Sequence, residues 1–137
     1  MKKNLERTAY ATVVTTSLSH EEAVEQVTAL LKQEGFGVLC DIDVSKTLKE
    51  KIGADFRRYR ILGACNPDFA HQALAEEPQL GLLLPCNIVV QEEDGTTVVS
   101  AIDARALLAV VGRPSLLPMA DEVNERLRRV LEGIAAR

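Results

Sequence analysis

The sequence is poor in aromatic residues, and this scarcity restricts what the protein can recognise by stacking. Trp is absent, and two Tyr with three Phe make up only 4% of the 137 residues. Proteins that bind single-stranded nucleic acid stack bases on aromatic side chains. A basic surface is lacking as well, because the formal net charge is −4. We therefore expect no nucleic-acid partner.

Long apolar runs are also missing. No stretch of the sequence approaches the ~18 consecutive apolar residues that a membrane-spanning helix needs. The amino-terminal segment MKKNLERTAY has no apolar core, so we expect neither a signal peptide nor a membrane partner. These observations predict a cytoplasmic protein.

Cysteine is the third scarce residue type. Cys40, Cys65 and Cys86 are an odd number and form no CxxC pair. Because the cytoplasm keeps most thiols reduced, we expect no structural disulfide framework. Stability must come from an aliphatic core, and 47% of the residues are apolar. We expect a single domain over residues 1–137, with residues 1–9 as a flexible or edge segment.

Runs of β-branched residues alternate with capped amphipathic segments, which predicts the order β-α-β-(α)-β-α-β-β-(α)-α. The turn EEDG closes a hairpin between the last two strands. This hairpin favours an α+β fold, with helices packed on a mixed or mostly antiparallel sheet of about five strands. The predicted strands cover residues 10–16, 37–43, 56–64, 80–91 and 96–102.

Local signals mark where several elements begin. Ser19 with Glu22 three residues later forms a capping box at the start of the first helix. Asn66 followed by Pro67 predicts the start of another helix. Pro85 lies in a long apolar run and has no backbone N–H, so we expect a bulge or a break in that strand.

Two short motifs share one arrangement, ILGACNP at residues 61–67 and LLLPCN at residues 82–87. Each places a cysteine directly before an asparagine, near a proline and after an apolar run. The strand that ends near Cys65 and the strand that holds Cys86 flank one helix. A β-α-β unit often lays such strands side by side. We predict that the two motifs form one site.

The chemistry of this site depends on where Cys65 lies. It directly precedes a predicted helix start, where the helix dipole and unpaired N–H groups stabilise an anion such as a thiolate. The alternative is that Cys65 is a small apolar residue and Asn66 only a helix cap. Cys86 is open to the same alternative, since it lies in a strand that we expect to be buried.

Further residues were weighed as parts of the site. Two cysteines with His71 would supply three soft metal ligands, for zinc or copper(I), but no ligand spacing recurs; we predict no native metal and no cofactor. Arg60 lies in a locally basic stretch and is the best candidate to hold a phosphate or carboxylate. Cys40 has no polar neighbour on its strand, so we expect it to be structural. The candidate ligand-binding residues are Cys65, Asn66, Cys86, Asn87, Arg60 and His71.

At this point a family resemblance is visible. The segments FGVLCDIDVSKTLKEKIG, YRILGACNPDFAHQAL and GLLLPCNIVV, with the region from Asp103 to Leu117, resemble the bacterial and archaeal proteins of domain-of-unknown-function family 302. The resemblance runs from about Tyr10 to the last helix. It implies a compact α+β domain that is dimeric and has no established activity. Cys40 departs from the family's usual Thr, so it is not counted in the site.

Three interpretations remain open. The first is a thiol-containing small-molecule binding or redox-sensing module centred on Cys65 and Cys86, with a small polar or anionic ligand. The second is an enzyme of unassigned reaction with Cys65 as nucleophile and His71 or Asp103 as base. The third is a structural homodimer or interaction protein in which the motifs only fix turns. We favour the first, because no positioned base is visible in the sequence.

Overall fold

A computed structural model describes residues 5–137 as one antiparallel sheet with helices packed on it. The sheet has six strands in the order β1-β2-β6-β5-β4-β3, and every neighbouring pair is antiparallel. The α+β class is therefore confirmed. The strands are β1 Glu6–Arg7, β2 Ala11–Thr16, β3 Gly37–Asp43, β4 Tyr59–Cys65, β5 Cys86–Glu93 and β6 Thr96–Ile102. The helices are α1 His20–Gln33, α2 Val44–Ile52, α3 Pro67–Glu76, α4 Ala104–Ala109 and α5 Leu117–Ala135.

The sheet has one strand more than the roughly five that were predicted. The extra strand is β1, a two-residue segment that pairs with β2 at the edge of the sheet. A segment this short carries no alternating pattern from which a strand could be recognised. It lies in the amino-terminal segment 1–9, of which residues 1–4 are outside the described part of the chain.

The core lies between one face of the sheet and the two long helices. The capping box at the start of α1 is present, because Ser19 Oγ accepts from the Glu22 N–H at 3.2 Å and the Glu22 carboxylate accepts from the Ser19 N–H at 3.0 Å. Apolar side chains at helical spacing then face the sheet. On α1 these are Ala23, Val24, Val27 and Leu31, and on α5 they are Ala120, Val123, Leu127, Val130, Leu131 and Ile134.

This core also buries a histidine. His20, the first residue of α1, is 3% exposed, and its Nε2 lies 3.1 Å from the carbonyl oxygen of Val90 on β5. Since a carbonyl only accepts, Nε2 carries the proton and donates. The histidine therefore ties the start of α1 to the centre of the sheet.

Only the second half of the segment 80–91, which was predicted to be one long strand, is a strand. Pro78–Leu82 forms a 3-10 segment, and β5 begins only at Cys86. Pro85, whose peptide bond with Leu84 is cis, directly precedes the first paired residue. The break expected at Pro85 is thus present. In the apolar run before it, Leu80 is buried and Leu83 and Leu84 pack against the core, whereas Leu82 is exposed.

Within residues 5–137, none of the helices is long and apolar enough to cross a membrane.

Candidate thiol site

The antiparallel pairing of β4 and β5 brings the two cysteine motifs together. Ala64 on β4 is the register partner of Cys86, and Cys65 is the next residue along β4. Cys65 therefore ends one strand where Cys86 begins its neighbour. The β-α-β argument from sequence assumed a parallel pair, which would have placed the start of β5 at the opposite end of the sheet from Cys65. The strands are neighbours, and their antiparallel pairing agrees with the predicted mostly antiparallel sheet rather than with a β-α-β unit.

Both cysteines line one small cavity. Its volume is about 50 Å³, room for one or two water-sized groups. The cavity lies between the paired ends of β4 and β5, helices α3 and α4, and the start of α5. Its walls are almost entirely apolar. Besides the two cysteines they include Phe69, Leu80, Leu108, Met119 and Val123.

The two thiols have different surroundings. Burial, with a smaller contribution from the nearby Cys65, raises the pKa of the Cys86 thiol from its ordinary value of 9.0 to about 11. Cys86 is therefore a protonated thiol at neutral pH. Cys65 is half-buried and directly precedes the N-cap of α3.

Asn66 builds the wall of the cavity beside Cys65. It is 8% exposed, and its Oδ1 accepts from the Phe69 N–H at 3.2 Å, which caps α3. Gly35, with φ +85°, lets the chain after α1 pass close to the Asn66 amide; a Cβ there would lie 3.0 Å from Nδ2. The asparagine thus fixes the start of α3 directly after Cys65.

A second source of positive charge lies behind the cavity wall. The guanidinium Cζ of Arg126, on α5, is 5.0 Å from the centroid of the Phe69 ring. Arg126 Nη1 also donates to the Glu34 carbonyl at 3.0 Å, which holds it in place. Its Nε donates to the Glu122 carboxylate at 3.0 Å, so the charge of Arg126 is already paired. The end of α3 is therefore the feature that favours a negative charge beside Cys65.

Two of the predicted site residues lie elsewhere. Asn87 is exposed and pairs with Gly63 on the strand next to it, so it is on the opposite face of the sheet from the cavity. His71 is exposed on α3 and does not line the cavity. The structure therefore brings together Cys65, Asn66 and Cys86, and separates Asn87 and His71 from them.

Arg60 lies toward the other end of β4. Its guanidinium makes a two-point contact with the Asp41 carboxylate, at 2.7 and 2.5 Å, and contacts Glu21 at 3.2 Å. The hydrogen bonds to Asp41 are the main reason why the pKa of Arg60 is raised, and the charge of Glu21 adds to this effect. Five residues of extended strand separate it from Cys65, roughly 17 Å. Its charge is satisfied locally, away from the thiols.

Cys40 is exposed, on the other face of the sheet from the cavity. A bulge in β3 between Val38 and Cys40 changes the alternation, so that Cys40 pairs with Gly63. Strict alternation along β3 would have put Val38 and Cys40 on one face, and the bulge separates them. A Cβ on Gly63 would lie 2.6 Å from Cys40 Sγ and 2.7 Å from Pro85 Cγ. Cys40 and Pro85 thus pack on the bare backbone of Gly63.

Asp103, the other base considered, belongs to a different surface. It caps α4 by accepting from the Ala106 N–H at 3.0 Å and also accepts from Asn124 Nδ2 at 3.0 Å. Burial works against its charge, but these hydrogen bonds and Arg7 together hold the pKa of Asp103 below its ordinary value. It lines a groove of about 540 Å³ between α5 and the β2–β6 side of the sheet. Among residues 5–137, no histidine or carboxylate lines the cysteine cavity.

Met119 is the site residue that sequence reasoning missed. It stands near the start of α5 and lines the cysteine cavity. More than thirty residues separate it from Cys86, so no local spacing connects the two. The one weak indication of Met119 in the sequence is its rarity, because the chain has only two methionines and the other is residue 1.

The fold and the site together define the class of protein: an antiparallel α+β domain with two cysteines in one apolar cavity. The chain belongs to the family Domain of unknown function DUF302, whose model matches residues 12–134. It is similar to a solved structure described as the uncharacterized conserved protein DUF302 from Bacillus stearothermophilus, with 35% sequence identity and a TM-score of 0.87. That likeness covers 93% of this chain and 99% of the other. No curated protein matches the chain.

Proposed function

We propose that the protein is a thiol-based redox-sensing module in which Cys65 and Cys86 pass between a dithiol and a disulfide. The observation that carries this proposal is that both cysteines line one small apolar cavity. The setting is a compartment that keeps thiols reduced at rest, which is the cytoplasmic placement predicted from sequence.

The asymmetry of the two thiols assigns their order of action. Cys65, half-buried at the positive end of α3, attacks one sulfur of a low-molecular-weight disulfide and expels its partner as a thiol. Cys86 then gives its proton to solvent, and the resulting thiolate attacks the Cys65 sulfur and releases the second low-molecular-weight thiolate, which takes up a proton. One disulfide bond is broken and one is formed, and the two protons leave with the two released thiols.

The shape of the cavity suits this exchange. Apolar walls offer no group that would hydrolyse or protonate an intermediate, and the cavity has room for one added sulfur rather than for a large substrate. Asn66 holds the strand-to-helix turn that presents Cys65. The low-molecular-weight thiol compound is the small polar ligand of this proposal.

The enzyme interpretation has less support. A cysteine nucleophile needs a base within about 3 Å of its sulfur. His71 is exposed, and the Asp103 carboxylate caps α4 outside the cavity. Disulfide exchange needs no base held beside the sulfur, because solvent can take the proton of an attacking thiol.

The test is disulfide mapping on the reduced protein after exposure to glutathione disulfide. We expect a mass decrease of two hydrogens and one linked peptide pair that contains Cys65 and Cys86. The Cys40→Ser variant is the matched control and should form the same link. A glutathione adduct that stays on Cys65, or a link through Cys40, would contradict the proposal.

A homodimer is the second proposal, and the free face of the sheet supports it. We use the name open face for the row Ile42, Ile61, Val89, Ser100 and Val13, which are successive register partners across five strands. The next row contains the buried Leu62 and Ile88, so the open face points away from α1 and α5. Four of its five residues are apolar, whereas a solvated sheet face is usually polar. We propose that a second copy of the chain covers it.

A further inference from the structure

We propose that a groove on the open face of the sheet binds a small apolar carboxylate, whose anionic group is held by Arg57. The groove has a volume of about 280 Å³ and crosses strands β2, β6, β5 and β4. Val13 and Val89 of the open face lie in it. Polar and aromatic side chains complete the lining, among them Thr8, Tyr10, Tyr59, Asn87, Gln91 and Ser100. Among residues 5–137, no charged side chain lines the groove, so its charge comes from the rim.

Arg57 lies at this rim because two contacts fix its guanidinium there. Its Nε donates to Oε1 of Gln91 at 2.9 Å, and Gln91 lines the groove. Its Cζ lies 4.6 Å from the centroid of the Phe56 ring, and that ring is 5.8 Å from the ring of Tyr59. Tyr59 also lines the groove and is the register partner of Gln91. An arginine held in one geometry loses less conformational freedom when it binds a ligand.

The charge of Arg57 is not compensated by a carboxylate. Within residues 5–137, every other arginine except the last residue of the chain forms an ion pair with Asp or Glu. The acidic residues beside the cluster are paired elsewhere, Asp55 with Lys49 at 2.9 Å and Glu92 with Arg58 at 3.5 Å. Arg57 contacts a neutral amide and an aromatic ring instead. Its two Nη groups are therefore free to donate to an anion.

The surroundings of Arg57 select the kind of anion. A guanidinium binds a carboxylate through two parallel hydrogen bonds. The valine and tyrosine side chains of the groove favour an apolar body next to that carboxylate, and Asn87 and Ser100 add neutral hydrogen-bonding groups. The volume is at the small end for ligand pockets, so the ligand is small as well. A monocarboxylate with an apolar ring or chain matches the charge, the lining and the volume together.

This site is independent of the thiols but overlaps the surface of the proposed dimer. It lies on the other face of the sheet from the cysteine cavity and uses neither of its cysteines. Val13, Val89 and Ser100 belong both to the groove and to the open face. The ligand and a second copy of the chain therefore compete for one surface, and bound ligand should shift the dimer toward the monomer.

Tyrosine fluorescence of the dilute native protein tests the inference. Tyr10 and Tyr59 are the only tyrosines, tryptophan is absent, and both tyrosines line the groove. The probe is cyclohexanecarboxylate, which does not absorb where tyrosine is excited. Cyclohexanecarboxamide has the same ring without the charge and is the matched control compound. We expect a saturable fluorescence change with the carboxylate and an affinity about tenfold lower for the carboxamide, because a charged hydrogen bond is lost.

Two adjacent arginines supply a matched pair of variants. Arg57→Gln should raise the dissociation constant of cyclohexanecarboxylate about tenfold or more. Arg58→Gln removes the same charge from the next residue and should change this constant by less than about twofold. Arg57→Lys should bind with intermediate affinity, because lysine keeps the charge and lacks the planar fork. Both arginines are exposed, and circular dichroism checks that each variant folds.

Three outcomes would overturn the inference: no saturable response of the parent, an equal response to the carboxamide, or an equal loss in Arg57→Gln and Arg58→Gln. Sedimentation of the parent with and without cyclohexanecarboxylate separates this inference from the dimer proposal. A parent that is monomeric at high concentration and still binds the carboxylate supports the groove without the dimer. A dimer that shows no fluorescence response leaves the dimer proposal standing alone.

Discussion

At the scale of single residues, the proposed order of reaction predicts that the two cysteines of the cavity differ in reactivity. Cys65 is half-buried at the end of β4, whereas the pKa of Cys86 is raised to about 11, chiefly by burial. A thiol reacts through its thiolate, so an alkylating reagent should modify Cys65 before Cys86 at neutral pH. The same difference gives Cys86 a measurable effect on stability.

Stability should fall at alkaline pH because of Cys86. Its pKa is about 11 when folded and near 9.0 when unfolded, so the unfolded chain loses this proton first as the pH rises. The contribution is fully present below pH 9 and is lost as the pH rises through 11, up to about 3 kcal/mol. Urea unfolding across this range should show a steeper loss for the parent than for Cys86→Ala. Equal slopes would mean that Cys86 titrates normally in the folded protein.

Gly63 should be intolerant of any side chain. A Cβ at this position would lie 2.7 Å from the Pro85 ring and 2.6 Å from Cys40 Sγ, and the ring cannot swing away. Gly63→Ala should therefore destabilise the fold by about 1–3 kcal/mol in urea unfolding. Gly81→Ala is the control, since a Cβ at Gly81 meets nothing within 4 Å. Adding Cys40→Ala to Gly63→Ala should recover part of the loss, and no recovery would place the strain elsewhere.

At the scale of elements, the start of α3 connects the fold to the site. Asn66 caps this helix and lines the cavity, while the asparagine of the other motif, Asn87, is exposed on the open side of the sheet. The two motifs look equivalent in sequence and are not equivalent in structure. Their asparagines provide a matched pair of variants.

Asn66→Ala should cost about 1 kcal/mol of unfolding free energy, because the N–H of Phe69 loses its acceptor. Asn87→Ala should change stability little, since its side chain is exposed. Chemical denaturation of both variants measures the difference. Equal losses in the two would show that the cap on α3 does not contribute to stability.

Elements with local signals could be predicted from the sequence. The capping box of Ser19 and Glu22, the cap at Asn66 and the bounds of the strand 37–43 all follow from residues close together in the chain. The mostly antiparallel sheet was predicted from the closing hairpin, but the direction of β5 relative to β4 was not, because α3 and a short 3-10 segment join the two strands and permit either direction. The bulge before Cys40 was also invisible, since one extra residue in a strand leaves the composition unchanged.

The candidate site was predictable only where its residues adjoin the motifs. Cys65, Asn66 and Cys86 were found because the motifs contain them. Met119 was missed because α5 brings it to the cavity from a distant part of the chain. Arg60 was wrongly counted among the ligand-binding candidates because the sequence does not show which carboxylate pairs with its guanidinium. Asp41 is that partner, on the neighbouring strand β3. Which residues surround the cysteines is therefore determined by long-range packing, which the local sequence does not show.

At the scale of the whole molecule, the sheet is covered unequally. Helices α1 and α5 bury one face, and the open face presents Ile42, which is 46% exposed, among other apolar side chains. Sheets pack face to face about 10 Å apart, so two open faces could pair through their identical rows. This surface lies across the sheet from the cysteine cavity, and the proposed dimer leaves the thiols free.

Ile42→Lys should weaken the proposed dimer, because a charge would be placed in an apolar contact. We expect a rise in the dissociation constant of roughly thirtyfold or more, about 2 kcal/mol, by analytical ultracentrifugation. Leu82→Lys is the control, since Leu82 is 82% exposed in the 3-10 segment and is not part of the open face. A parent protein that sediments as a monomer at high concentration would exclude the dimer.

The measurement that tests the central claim most directly is a redox titration of the native protein against mixtures of reduced and oxidised dithiothreitol. The amount of peptide linked through Cys65 and Cys86 is quantified at each ratio, and circular dichroism follows the fold. We predict one reversible two-electron transition between dithiol and disulfide, with the fold intact at both ends. A linked pair that never forms, or forms only in unfolded protein, would show that the cysteines are packing residues of the cavity.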